Sequence, residues 1–524
     1  MRFYFILIFF TLLQISISGI IPNPEHPAKL TERHSKNNYK INSEEKTKEF
    51  WITKGKKFVE DQRKLKENKN IAKNVIFFIG DGLSLSTIAA SRVYQYGEEN
   101  SLSFEHFPYI GLAKTYAIDK IVPDSASTST SYLCGVKANY GTLGVNGNIK
   151  RKDCEATLQE QYYTTSIGKW ALDKKKSIGL VTTTRVTHAS PGGLYAHIAE
   201  RNWENNEEIE KNCKNYENYK KIKDIAVQLI HGDVGSEMTV VLGGGRREFR
   251  DKKMNDEIGL ENARTDGRDL IAEWKSIGDE NNENRTFVFD RQGLSNVDVE
   301  KTDRLLGLFN SGHMKYKMEA KDYEPSLEEM TETAIKLLQN KNDENGYFLF
   351  VEGGLIDVAH HSTYAQIAFN ETIEFSNAID KARTMTSESD TLIVVSSDHS
   401  HTMSIAGYPD RYNDIFGTAA ESDRDDLPFL TINYANGKGA DIYINSENNA
   451  RHDPTVIIDS KNPKALFPAT ALRDSETHGG EDVAVFASGP WAHLFTGVYE
   501  QNVLPHLMAY ASCIGDGLKH CANN

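Results

Sequence analysis

Positive charge, cysteine and long apolar runs are all scarce in this chain. Its 524 residues contain 60 Lys and Arg against 74 Asp and Glu, a formal net charge of −14. Steady binding of nucleic acid needs clustered cations, so this balance argues against nucleic acid as a partner. No internal repeat or low-complexity tract is evident. The length suits one large α/β core with an insertion.

A long apolar run stands at the N-terminus, where Met1-Arg2 precedes Phe3 to Leu13 and the small residues Ser16 and Ser18 follow. A bilayer span needs about 20 apolar residues, so a membrane helix over residues 3–17 is the weaker alternative. The pattern predicts a signal peptide over residues 1–18, cleaved near Ser18, and hence an exported protein.

The rest of the chain divides by composition. Residues 19–45 are polar and proline-containing, which is typical of an exposed lead-in to a main domain over residues 46–521. Around residues 408–475 the strand and helix patterns end, and Gly, Asn, Asp and Pro become frequent, as in solvated loops. Residues 513–524 lack the hydrophobic tail of a glycolipid-anchor signal, so we expect a soluble secreted protein with no stable membrane anchor.

Five cysteines in an exported chain predict disulfides and one unpaired thiol. Cys513 and Cys521 are close in sequence, and Cys154 with Cys213 could close a longer loop. Cys134 lies between apolar residues and is predicted to be a buried free thiol. The sequence alone leaves this connectivity open.

Two glycosylation sequons begin at Asn284 and Asn370. Asn370 lies in a helical pattern, so Asn284 is the favoured acceptor.

Short apolar, β-branched runs recur along the chain and suit strands buried on both faces. They are Val75–Ile79, Ile178–Thr182, Thr239–Leu242, Phe348–Val351, Leu392–Val395 and Val483–Phe486. Helical patterns over Ser326–Leu338 and Gln366–Met385 alternate with them, as in a parallel sheet with crossovers. The sequence therefore predicts a three-layer α/β/α sandwich around a large, mostly parallel central sheet.

Carboxylates and histidines stand at the ends of several of these runs. Asp81 follows the first run, Glu352 follows the fourth, and Asp398-His399 come shortly after the fifth. Ligands of open α/β sheets gather beyond the carboxyl ends of strands. A lone Asp there is more often a helix cap or turn residue, but several such ends together indicate a metal site.

One set of these residues fits zinc. Asp357 and His361 are four residues apart and share one helical face, and His478 joins them. Imidazole and carboxylate suit zinc, and three protein ligands leave a position open for water or substrate. His188 and His401 are predicted to contact the metal ligands and orient them without binding a metal themselves.

A second zinc set and a magnesium set share a carboxylate. Asp398 and His399 are adjacent, so only a strand end or turn can aim both at one metal. Asp81 completes this second zinc set. Asp81 is shared with a third set that contains Ser190 and Glu352. The oxygen ligands of this third set suit magnesium.

Ser125 is the candidate nucleophile. It lies in Pro123-Asp-Ser-Ala-Ser-Thr128, which is typical of a helix start with backbone N–H groups near an anion. Alone, such a segment is more often a simple helix cap. No Gly-x-Ser-x-Gly elbow surrounds the serine, so a metal must lower the pKa of its hydroxyl for it to attack.

Together these segments resemble the alkaline phosphatases. The similarity runs from about Phe50 to Cys521 and includes Val181-Thr-Thr-Thr-Arg-Val186 and Leu242-Gly-Gly-Gly-Arg246. The resemblance implies phosphoric monoester hydrolysis with broad specificity at a site holding two Zn²⁺ and one Mg²⁺ in the three sets above. It also implies that residues 46–521 form the catalytic domain.

The family's mechanism implies two in-line displacements on phosphorus. Ser125 attacks the ester and becomes phosphoserine, which water then hydrolyses. The resemblance also singles out Arg201, thirteen residues beyond His188, as the guanidinium that grips the phosphate oxygens.

Family members form homodimers in which a tyrosine matching Tyr408 reaches the partner's site. By composition, the charged helical stretch from Phe50 to about Lys69 is favoured as a solvated surface helix. The resemblance implies instead that it packs against the second subunit, and that residues 408–475 form an inserted crown. Leu355 and Val358 stand where animal relatives usually have arginine and histidine, so we expect a tuned rate rather than lost activity.

A fourth site, for calcium, is doubtful. Phe309 matches the family, but Asn310 replaces the usual glutamate, Glu324 replaces the aspartate and Glu257 aligns only loosely. Loss of a carboxylate charge weakens calcium binding.

Two other classes of protein compete with this interpretation. Phosphodiesterases, including nucleotide pyrophosphatases, and sulfatases share the fold, but the sulfatase signature Cys-x-Pro-x-Arg is not present around Ser125. A diesterase is not expected to carry both Arg201 and the third metal set. A secreted, inactive protein that binds phosphorylated ligands is the alternative that is not an enzyme.

Overall fold

The apolar runs form strands of one ten-stranded sheet in the computed structural model, which describes residues 42–523 apart from 96, 321, 343, 423, 424, 446, 449 and 460. Over all its sheets, the described part of the chain contains the strands β1 (Asn74–Gly80), β2 (Tyr109–Lys114), β3 (Ser177–Arg185), β4 (Val240–Gly244), β5 (Arg285–Val288), β6 (Arg304–Leu308), β7 (Tyr347–Gly353), β8 (Thr391–Ser397), β9 (Ser400–His401), β10 (Met403–Ile405), β11 (Thr418–Glu421), β12 (Pro428–Leu430), β13 (Ile432–Gly437), β14 (Ala469–Leu472), β15 (His478–Gly479), β16 (Val483–Ser488) and β17 (Gly497–Glu500).

The large sheet has the order β17-β2-β16-β8-β1-β7-β3-β4-β6-β5. All neighbours are parallel except β16, which runs antiparallel to both β2 and β8. All seven residues of β1, β7 and β8 are buried, as expected for strands covered on both faces. The predicted mostly parallel α/β sheet is therefore confirmed.

Helices cover both faces of this sheet. The described residues contain the α-helices α1 (Lys48–Gln62), α2 (Leu85–Gln95), α3 (Ser125–Cys134), α4 (Ile167–Leu172), α5 (Ala189–Gly192), α6 (Asn206–Cys213), α7 (Ile225–His231), α8 (Leu270–Asn281), α9 (Arg291–Ser295), α10 (Leu327–Lys341), α11 (Leu355–His361), α12 (Ala365–Met385), α13 (Gly439–Tyr443), α14 (Pro454–Ile457) and α15 (Leu504–Ser512). Of these, α1 has no buried residue and does not cover the sheet. Side chains of β1 alternate between two cores: Phe77 packs with residues of α3, α7 and α15, and Phe78 packs with residues of α10 and α12.

Residues 403–472 carry small sheets outside the main one. β10, β13 and β14 form a three-stranded sheet, and β11 pairs with β12. Their apolar side chains pack against residues of α11 and α12 in a third core. The domain bounds remain predictions, and the predicted signal peptide lies outside the described residues. None of the helices in the described part of the chain combines the length and apolarity that a membrane crossing requires.

The structure joins Cys154 to Cys213 and Cys513 to Cys521 in disulfides, and Cys134 is a buried free thiol. Asn284 is exposed in the turn before β5, whereas Asn370 lies within α12.

Candidate active site

Four neighbouring strands bring the predicted site residues to one edge of the sheet. In the order β8-β1-β7-β3 the strands run parallel, and Gly80 at the end of β1 lies opposite Ser397 at the end of β8. Asp81 and Asp398 follow these two ends, and Glu352 lies near the end of β7. Their side chains therefore meet beyond the carboxyl ends of the strands.

Three acceptor atoms converge in the first cluster. Nδ1 of His361 and Nδ1 of His478 lie 2.6 and 2.8 Å from the carbonyl oxygens of Glu476 and Pro123. Because a carbonyl only accepts, both Nδ1 atoms carry the proton, and the two Nε2 atoms present lone pairs to each other at 3.2 Å. Asp357 Oδ1 lies 3.3 and 3.4 Å from these nitrogens. A bound cation would stabilise this arrangement.

His401 supports the first cluster from the side. Its Nε2 lies 2.7 Å from Asp357 Oδ1, and its Nδ1 lies 2.5 Å from Glu476 Oε2. Burial disfavours the charged ring, but the two carboxylates outweigh burial and raise the pKa of His401 to about 10. His401 therefore donates from both nitrogens and orients the Asp357 carboxylate. The role of Glu476 was not predicted from the sequence, although its position two residues before His478 was a signal.

The second cluster contains the candidate nucleophile. His399 Nδ1 faces the carbonyl oxygen of Ser400 at 3.3 Å, which leaves the Nε2 lone pair free. That Nε2 lies 3.2 Å from Ser125 Oγ, 3.1 Å from Asp398 Oδ2 and 3.5 Å from Asp81 Oδ1. Burial raises the pKa of Asp398 to about 6.

The third cluster has buried acceptors without donors. Ser190 Oγ donates to Asp81 Oδ2 at 3.4 Å, and Thr184 Oγ1 donates to Glu352 Oε2 at 3.0 Å. Asp81 Oδ1 and Glu352 Oε1 are buried and have no hydrogen-bond donor among the described residues. A ring nitrogen of His188 and an oxygen of each carboxylate lie within 4.8 Å of one another. Burial and neighbouring carboxylates raise the pKa of Asp81, and burial raises that of Glu352 to about 7. A divalent cation would balance this charge.

Arg201 reaches the start of α3. Its Nη1 donates to Asp124 Oδ2 at 3.0 Å, and its Nη2 donates to His188 Nε2 at 3.1 Å. Asp124 is the N-cap of α3 and also accepts from the backbone N–H groups of Ser127 and Gly141. Burial disfavours the guanidinium charge, but Asp124 outweighs it, so the pKa of Arg201 is above its ordinary value. Asp124 precedes the candidate nucleophile, yet the sequence did not show that it binds Arg201.

The residues considered for calcium already have donors. Asn310 Nδ2 donates to Glu324 Oε1 at 2.6 Å, and the backbone N–H of Lys315 donates to Glu324 Oε2 at 2.7 Å. Arg250 Nη1 donates to Glu257 Oε2 at 2.7 Å. These oxygens each accept a hydrogen bond within the chain, and the calcium site stays a doubtful prediction.

Three other residues named in the sequence predictions lie outside the three clusters of the site. Tyr408 is 97% exposed and does not enter the site of its own chain. Leu355 is buried in α11 and Val358 is partly buried, so neither adds a polar group to the three clusters.

Comparisons with known proteins agree with this geometry. A family model for alkaline phosphatase matches residues 72–514. The rat tissue-nonspecific isozyme of alkaline phosphatase is 44% identical over 496 residues, which cover 92% of each chain. A membrane-bound alkaline phosphatase of Bombyx mori is 42% identical over 485 residues, covering 90% of this chain and 87% of the relative. Alkaline phosphatase of Thermus thermophilus shares the fold, with a TM-score of 0.60 and 21% identity over 84% of this chain and 92% of that one. This chain belongs to the alkaline phosphatase family of phosphatase enzymes.

Proposed function

We propose that this chain hydrolyses phosphate monoesters through a phosphoserine formed on Ser125. The observation that carries the proposal is the 3.2 Å approach of Ser125 Oγ to the free Nε2 of His399, beside the buried carboxylate of Asp398. Ser125 is the first residue of α3, so the helix N-terminus favours a negative phosphoryl group there.

The three clusters fit two zinc ions and one magnesium ion. The proposed sets are Asp357, His361 and His478; Asp81, Asp398 and His399; and Asp81, Ser190 and Glu352. The fit rests on converging lone pairs in the first two sets and on unpaired buried carboxylate oxygens in the third. When bound, such cations lower the pKa of coordinated hydroxyl groups and neutralise charge that develops on oxygen.

The chain's own groups account for binding and displacement. Arg201 binds two non-bridging oxygens of the phosphoryl group, and Asp124 keeps its guanidinium in place. Ser125 Oγ loses its hydroxyl proton and attacks phosphorus in line as the ester P–O bond breaks, and the departing alkoxide takes up a proton to leave as the alcohol. Water then attacks phosphorus from the side that the alcohol has left, which releases inorganic phosphate and restores the serine.

Specificity, export and assembly complete the proposal. These clusters hold the phosphoryl group and do not specify one organic group, so we propose broad specificity. We also propose export through the predicted leader over residues 1–18 and a homodimer in which exposed Tyr408 contacts the partner. Residues 46–521 would form the catalytic domain, with residues 408–475 as its crown-like insertion.

Hydrolysis of p-nitrophenyl phosphate by the purified protein and by Ser125→Ala tests the reaction, with zinc and magnesium counted in both samples. We expect metal-dependent turnover in the wild type and loss of at least about a thousandfold in Ser125→Ala with unchanged metal content. The diester bis-p-nitrophenyl phosphate is assayed in parallel. Faster diester than monoester hydrolysis would indicate a phosphodiesterase, and full metal without turnover would indicate a binding protein.

A further inference from the structure

A histidine outside the predicted sets borders the phosphate-binding arginine. His313 lies in the loop that follows β6 and is partly buried. Its ring meets the ring of His188 edge to face, with centroids 5.1 Å apart and planes at 78°. His188 therefore lies between His313 and Arg201, because His313 contacts its ring and Arg201 donates a hydrogen bond to its Nε2.

The position of His313 is fixed by the end of β3. Its Nε2 lies 2.8 Å from Nη1 of Arg185, and because a guanidinium only donates, Nε2 is the acceptor. Arg185 forms two hydrogen bonds of 2.7 Å with the buried carboxylate of Glu204. Thr187 Oγ1 donates to the same carboxylate at 2.6 Å. The imidazole of His313 is thus anchored to a rigid, charge-paired group.

The hydrogen bonds of His188 do not by themselves fix the orientation of its ring. Its Nε2 accepts from Arg201 Nη2 at 3.1 Å. Its Nδ1 is buried and has no hydrogen-bond partner among the described residues. A single hydrogen bond does not fix the plane of a ring, so the edge contact with His313 supplies the missing constraint.

We propose that His313 is a positioning residue that fixes the ring of His188 and, through it, the direction in which Arg201 presents its guanidinium to phosphate. The proposal rests on the proposed function, in which Arg201 binds phosphoryl oxygens. Arg201 makes that contact in the ground state and the transition state alike. Loosening it therefore raises KM and the inhibition constant of inorganic phosphate while kcat changes little.

Two substitutions separate the ring from the hydrogen bond. His313→Phe keeps an aromatic edge against His188 but loses the acceptor for Arg185, and His313→Gln keeps an acceptor but loses the ring. In metal-saturated full-length protein, we expect His313→Gln to raise both constants on the order of tenfold and His313→Phe to stay within about twofold of wild type. His231→Ala is the matched control, because His231 Nε2 also lies near an arginine, 3.2 Å from Arg268 Nη2, but far from the site in sequence and contacts.

Each alternative outcome overturns the proposal. If His313→Gln lowers the melting temperature but leaves the phosphate inhibition constant unchanged, His313 is only structural. If His313→Phe is impaired and His313→Gln is not, His313 acts through Arg185 instead. If His313→Gln has the same effect in a His188→Ala background, the route does not pass through His188. Arg201→Ala is measured alongside: an unchanged phosphate constant there would refute the proposed role of Arg201 itself, and so separates the two failures.

Discussion

The imidazole rings of the site differ in what their Nδ1 atoms contact. Backbone carbonyls accept from Nδ1 of His361 and His478, so each Nε2 is left as a neutral lone-pair donor suited to a metal. His401 instead lies between two carboxylates, Asp357 and Glu476, and is held as a cation. Histidine side chains in one site thus differ in protonation, because the acceptors that face their Nδ1 atoms differ.

Glu476→Gln tests the support that this arrangement gives the first metal set. Glu476 is 1% exposed, accepts from His401 Nδ1, and also accepts from the backbone and hydroxyl of Thr402 at 2.8 and 2.6 Å. Removing its charge weakens the hold on His401 and misorients Asp357. We expect zinc affinity to fall about 10- to 100-fold, measured by competition with a chelator.

Glu481→Gln is the matched control for that measurement. Glu481 lies five residues further along and accepts from Ser400 Oγ rather than from a histidine. The zinc affinity of the Glu481→Gln variant should equal that of the wild type. Wild-type zinc affinity in Glu476→Gln would show that His401 does not orient the ligand Asp357.

The strands that carry the site could be predicted because they are buried on both faces and therefore read as continuous apolar runs. Four strands of the large sheet were not predicted: β2, β5, β6 and β17. β2, β5 and β17 lie at or near the sheet edges, where many positions are exposed or only partly buried. β6 is buried at four of its five residues, but its short run begins with Arg304 and is interrupted by Gly307. Strand ends and helical spacing predicted the carboxylates and histidines that lie together, whereas Arg201 was singled out by the family resemblance. The contacts of Arg201 with Asp124 and of His401 with Glu476 could not, because they join positions 77 and 75 residues apart.

A buried carboxyl on α12 makes stability depend on pH. Glu371 is 5% exposed, and its Oε1 accepts from the backbone N–H of Lys317 at 2.7 Å. Burial, only partly offset by that N–H and reinforced by the charge of Glu374, raises the pKa of Glu371 to about 8. An unfolded glutamate titrates near 4.3, about its ordinary value. Because the folded state binds the proton more tightly, stability is lost as pH rises from the unfolded pKa through the folded one.

Glu371→Gln should remove this loss, because the amide stays neutral and its oxygen can still accept from Lys317. We expect the free energy of unfolding of the variant to exceed that of the wild type by a margin that already grows above the unfolded pKa of about 4.3, keeps growing across a measured range of about pH 6 to 8, and levels off above the folded pKa. Glu332→Gln on α10 is the control: its pKa is lowered, first by a hydrogen bond from Lys336, so its difference from wild type should not change over this range. A constant margin for Glu371→Gln, measured by urea unfolding, would contradict the raised pKa.

At the scale of the whole molecule, α1 is a helix without a covered face. None of its residues is buried, and Trp51, Ile52, Phe58 and Val59 are 50–64% exposed. These four positions are spaced i, i+1, i+7 and i+8, so they form one apolar stripe along the helix. Exposed apolar stripes of this kind mark interaction surfaces, and the proposed homodimer gives the stripe a partner.

Disruption of this stripe tests whether α1 joins the subunits. Trp51→Glu with Phe58→Glu places two charges on the apolar stripe and should shift the protein from dimer to monomer in sedimentation analysis, because an unpaired charge cannot be buried cheaply in an interface. Lys57→Glu changes the net charge equally but lies on the opposite face of α1, so it should remain dimeric. A dimer that survives the double substitution would move the interface away from α1. Loss of the dimer in both variants would mean that net charge, rather than the apolar stripe, governs assembly.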